Sequence, residues 1–94
     1  MKAWTYITTN KKDGVLYTGV TAELKYRMQS HKTRKYKNAF TARYNADKLV
    51  WYQVFDSIVD ARAREKQLKA GSRAKKVRLI EQMNPGWLDL TDGL

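Results

Sequence analysis

The chain contains no cysteine. That excludes a disulfide framework and any thiolate metal site, and it fits a reducing interior. A single histidine also excludes metal sites built on several imidazoles. Proline occurs once and glycine five times in 94 residues, and no linker, repeat or low-complexity segment is visible. No apolar run approaches ~18 residues, so no membrane span is expected. The opening MKAWTYITTN enters a strand pattern directly, without a signal-peptide apolar region. The expectation is one soluble, cytoplasmic domain over residues 1–94, with a core just large enough to fold alone. Acidic residues are scarce too: nine Asp and Glu face 19 Lys and Arg, a net charge of +10. A surplus of that size points to an anionic partner, nucleic acid before others.

Residues 3 to 9 and 15 to 20 are rich in Thr, Tyr, Ile, Val and Leu and flank NKKDG, whose Asp13-Gly14 step signals a β-hairpin. Pairing residue 9 with residue 14 sets Tyr6 opposite Tyr17. Trp4 and Gly19 then share the tyrosine face, and Ile7 and Leu16 take the other. Thr21 suits the N-cap of a helix from about 22 to 32, and a short helix near 39 to 44 can follow Asn38. KLVWYQVF, 48 to 55, reads as a strand covered on both faces, with Trp51, Tyr52 and Phe55 in the core. Asp56 or Ser57 caps a helix from about 58 to 70. Gly71 ends it, and Ser72 caps another to about 83, with Leu79 and Ile80 facing inward. The order ββα(α)βαα describes an α+β domain with a small three-stranded, at least partly antiparallel sheet flanked by helices.

Three charged residues sit where helical spacing directs side chains inward. Arg27 and His31 share the face marked by Leu24 and Met28. Glu65 lies within the arc of Ile58, Ala61 and Leu68. An inward carboxylate is costly unless paired or holding a cation. A buried Arg27–Glu65 salt bridge is the structural account of this pattern. A site is the other, and the tyrosine pair in so basic a chain favours it. The chemistry suits phosphodiester hydrolysis. One carboxylate can hold Mg²⁺, which keeps its waters and takes substrate phosphate as a ligand. Arginine stabilises charge on phosphoryl oxygens. Tyrosine or histidine can take a proton from the attacking water.

These residues also carry a resemblance. WTY at 4–6 and YTG at 17–19, Arg27 eight residues after Gly19, His31 one turn later and Glu65 in AREKQLK together resemble the GIY-YIG nuclease superfamily. With FTARYN, SRAKK and NPGW, nearly the whole chain is similar to its small stand-alone bacterial members, usually called predicted endonucleases. The resemblance implies that Tyr6, Tyr17, Arg27 and His31 form the catalytic set and that Glu65 holds Mg²⁺ or Mn²⁺. Trp4 stands where the first signature has glycine. The asparagine that many family nucleases carry about a dozen residues past the glutamate has no counterpart in KKV at 75–77, and Asn84 is not assigned its role.

Lys32, Arg34, Lys35 and Lys37 form one basic cluster, and Lys69, Arg73, Lys75 and Lys76 a second. Flanking the site, they suit phosphate contacts that set register and carry no sequence information. Tyr36, Phe40 and Tyr44 can stack on unpaired bases, although core positions suit Phe40 and Tyr44 better. The expected function is divalent-metal-dependent endonuclease action on nucleic acid, DNA before RNA, with little sequence specificity. Two alternatives stay open: a nucleic-acid-binding module with a decayed site, and an interaction domain whose inward charges are a buried network.

Overall fold

The computed structural model describes residues 1–33 and 46–94, with side chains described for 1–30 and 46–94. Three strands form the sheet: β1 (Ala3–Thr9), β2 (Leu16–Thr21) and β3 (Lys48–Phe55). Their order is β2-β1-β3, and both pairings are antiparallel. β1 takes the centre, and six of its seven residues are buried. The helices are α1 (Leu24–Thr33), α2 (Ile58–Ala70) and α3 (Arg73–Met83). The helix expected near 39 to 44, with Tyr36, Phe40 and Tyr44, lies outside the described residues. No helix among the described residues is long and apolar enough to cross a membrane.

Side-chain caps set the helix ends as the sequence indicates. Ser57 accepts a hydrogen bond from the Asp60 amide at 3.2 Å, and Ser72 accepts one from the Lys75 amide at 3.2 Å. Gly71 closes α2 through its own amide, which donates to the Leu68 carbonyl at 3.1 Å. At α1 the start comes later than expected. The Thr21 hydroxyl accepts from the Glu23 amide at 3.0 Å, a local turn that delays the first helical residue to Leu24.

The hairpin register differs by two residues from the expected one. Tyr6 pairs with Gly19, and Tyr17 pairs with Thr8. Polar side chains at the turn are the cause. The Asn10 side-chain oxygen accepts from the Val15 amide at 3.1 Å, and the Thr9 hydroxyl bonds the carbonyls of Lys11 (2.8 Å) and Val15 (2.7 Å). Asp13 adopts a left-handed conformation at φ 57°, and the loop spans residues 10 to 15. Because side chains alternate with period two, a two-residue shift leaves every residue on its expected face.

The two faces are covered by different helices. Ile7, Val50 and Trp51 pack with Leu68, Ile80 and Trp87, so α2 and α3 cover this side. Tyr6 and Leu49 pack with Leu24 and Met28 of α1. Val50 has no partner across from it, since Ile7 pairs with Trp51 and Thr8 with Leu49, and this bulge lets both Val50 and Trp51 face α2 and α3. The far half of β3 is less covered than its composition suggests. Val54 is 47% exposed, and Tyr52 and Phe55 are only half-buried, because β3 is an edge strand. Leu79 is likewise half-buried against the core.

Candidate active site

The site begins with a steric fit on β1 and β2. Tyr6 is 2% exposed, and its ring lies over the backbone of its cross-strand partner Gly19. A Cβ at Gly19 would stand 2.6 Å from both the Tyr6 Cζ and its hydroxyl, and 3.1 Å from Tyr17 Cε2. Glycine is therefore required here for close approach. The rings of Tyr6 and Tyr17 lie 6.4 Å apart at 49°, a tilted packing common for aromatic pairs. Gly19→Ala is expected to push the Tyr6 phenol out of place and to lower any activity of this site at least tenfold, a misplacement effect. A single-turnover assay beside a near-ultraviolet circular dichroism spectrum checks this; full activity with a displaced tyrosine signal would rule out the fit as a requirement.

Electrostatics draw in the charged residues. Burial pushes the Tyr6 phenol well above its ordinary pKa, and the neighbouring Tyr17 and the Glu65 carboxylate push the same way, while the Arg27 guanidinium opposes them. Tyr17, Arg27 and Glu65 thus all act on the Tyr6 hydroxyl, although α1 and α2 approach from opposite faces of the sheet. Tyr6 stays a neutral phenol, able to donate a hydrogen bond and unsuited to act as a base. Tyr17 and Arg27 are half-buried, with part of each open to solvent.

Glu65 pairs with Lys69, one turn along its own helix, at 3.3 Å. Its side chain is 22% exposed and that of Lys69 is 55% exposed. Such an i,i+4 pair is weak and readily exchanged for a stronger cation. A lone carboxylate with hard oxygen donors fits Mg²⁺ or Mn²⁺ when substrate phosphate and water complete the shell. Among the described residues no cluster of three or more His, Cys, Asp or Glu could hold a metal, so only this sparse kind of site is available there.

His31 and Lys32 lie in the last turn of α1, His31 one turn beyond Arg27; their side chains, and Arg34, Lys35 and Lys37 entirely, fall outside the described residues. Arg73 donates to the carbonyls of Asp13 (3.0 Å) and Gly14 (2.7 Å), so it clamps the hairpin turn. Lys75 and Lys76 line a cleft between α2 and α3. Asn84 is structural. Its amide nitrogen donates to the carbonyls of Val50 (3.2 Å) and Leu88 (2.7 Å), and its oxygen accepts from the Leu88 amide at 2.9 Å. One residue escaped the sequence reading. Thr8, directly across from Tyr17, is fully buried, and its hydroxyl has no hydrogen-bond partner among the described residues. The Trp4-Tyr6-Thr8 alternation was the signal for its face, but the shifted register hid its pairing.

Residues 2–78 match the GIY-YIG catalytic domain. A UPF0213 protein of Syntrophus aciditrophicus (strain SB) is 41% identical over 73 residues, 78% of this chain and 83% of the relative. A UPF0213 protein of Staphylococcus saprophyticus is 35% identical over 75 residues, 76% of this chain and 85% of that one. The solution NMR structure of a UPF0213 protein from Bacillus halodurans is similar with a TM-score of 0.57 at 29% identity, covering 98% of this chain and 96% of that chain.

Proposed function

This chain belongs to the GIY-YIG family, and from that premise we propose that it is a divalent-metal-dependent endonuclease hydrolysing phosphodiester bonds, in DNA before RNA, with little sequence specificity. The observation that carries the reading is the buried Tyr6 phenol packed against Tyr17 at 6.4 Å, in the field of the Arg27 and Glu65 charges. In this reading Glu65 holds Mg²⁺ or Mn²⁺. When bound, the ion neutralises phosphate charge and makes its water a better nucleophile at neutral pH. Arg27 holds the scissile phosphate with its planar fork and stabilises the charge that develops there. Tyr17, the more accessible phenol, orients the attacking water or takes its proton, a role that His31 shares by its place on α1. Neutral Tyr6 donates a hydrogen bond into the same region and keeps Tyr17 in position.

The test is a cleavage assay on flaps, forks, single strands and duplexes of DNA, with matched RNAs, in Mg²⁺ or Mn²⁺. Endonucleolytic products are expected from DNA, and excess chelator should stop them. Salt-sensitive binding without any cleavage would establish the decayed-site alternative instead, and absence of both would overturn the nucleic-acid reading.

A further inference from the structure

We propose that the cleft between α2 and α3 binds a backbone phosphate of the nucleic-acid strand away from the bond being cut. The proposal rests on the nucleic-acid reading above and extends it to a second site. The cleft has a volume of about 320 Å³ and is lined by Arg64, Lys75, Lys76 and Arg78, with Gln67 and Gln82. None of its lining residues is acidic. Among the described residues none of the four cations has a carboxylate partner, whereas Lys69 is engaged by Glu65 and Arg73 by the turn. Four uncompensated cations around one cleft repel one another, and an anion relieves that repulsion.

Arg64 distinguishes the cleft from a patch of mobile surface lysines. Its Nε donates to the Gln53 side-chain oxygen at 3.2 Å, and its Nη1 donates to the Gln67 side-chain oxygen at 2.6 Å. Its guanidinium carbon lies 5.9 Å from the centre of the Trp51 ring. These partners are neutral, so they orient the guanidinium without cancelling its charge, and they leave Nη2 for a phosphate oxygen. Arg64 and Glu65 are neighbours in α2 and so point to different flanks of the helix. A helix is about 10 Å across, or about three base steps at 3.4 Å. One strand can therefore meet Glu65 and the cleft at two different phosphates.

The experiment is fluorescence-anisotropy titration of 20-base-pair DNA across a series of salt concentrations, with the full chain. Arg64→Gln/Arg78→Gln is expected to weaken binding at least tenfold at 0.1 M salt and to lower the log–log salt slope by about 1, the one phosphate contact of the cleft at ~0.9. Lys75→Gln/Arg78→Gln, at exposed positions, should do the same without touching the Trp51 contact. Lys12→Gln/Lys66→Gln removes the same charge elsewhere on the surface and should leave the slope unchanged. Equal slopes for all three pairs, or parental binding in the cleft variants, overturns the proposal. If the parent cuts DNA and the cleft variants bind as it does, the nuclease reading stands and the cleft falls. If the parent never cuts but its binding depends on the cleft, the reverse holds.

Discussion

Glu65→Gln is expected to abolish metal-dependent cleavage while leaving the fold nearly as stable as before. A metal ion contributes several kcal/mol of transition-state stabilisation, so its loss should lower the rate by at least about 10²-fold. The stability side follows from the partner. Glu65 is paired to the 55% exposed Lys69 on its own helix, and such screened pairs are worth about 0.3–0.5 kcal/mol. For a domain of this size that is about 1–4 °C in Tm. Had Glu65 been half of a buried structural pair, the same change would strand a charge and cost about 3 kcal/mol or more. Thermal melts with and without Mg²⁺ separate the two. In the parent, added Mg²⁺ should raise Tm by mass action, and in Glu65→Gln it should not. A large fall in Tm, with no Mg²⁺ effect in the parent, would make Glu65 a structural residue.

Short-range interactions are written in the sequence, and long-range ones are not. Local signals translated directly. Ser57 and Ser72 cap the helices, Gly71 separates them, and the alternation of β1 places Tyr6 and Ile7 on opposite faces. The register did not follow from Asp13-Gly14, because the Thr9 and Asn10 side chains build a wider loop from their own hydrogen bonds. The tyrosines stayed together only because the shift was even. Periodicity marks which side of a helix is buried but not which face of the sheet it meets. The structure puts the Arg27 and Glu65 helices on opposite faces of the sheet, with both charges still felt at Tyr6. The roles of Arg73 and Arg64 depended on partners 59–60 and 11–13 residues away, such as the Asp13 carbonyl, Gln53 and Trp51, which no local pattern announces. Gly19 was legible as part of YTG, but its reason, the Tyr6 phenol occupying the space a Cβ there would need, required the register.

Arg27→Lys is expected to be nearly as damaging as Arg27→Ala, each lowering the rate by about 10²-fold or more. A lysine keeps the charge but not the planar fork that engages two phosphoryl oxygens, and loss of one preorganised donor at developing charge is an effect of about 10²–10³. Full cleavage by Arg27→Ala would overturn the site as drawn. The same assay assigns the base. Burial raises the Tyr6 phenol pKa and makes it the poorer candidate. Tyr17, half-buried beside it, keeps access to solvent. If Tyr17 takes the proton, Tyr17→Phe should cost about 10²-fold or more, the effect of a general base, and His31→Ala should have only a modest effect. If His31 is the base, the two variants exchange their effects, and the acid limb near pH 6.5 disappears in His31→Ala. Tyr6→Phe separates position from proton transfer. It removes the donor but keeps the ring over Gly19, so it should lower the rate without moving either limb of the pH profile. A limb that shifts in Tyr6→Phe would mean that the buried phenol takes part in the proton transfer itself.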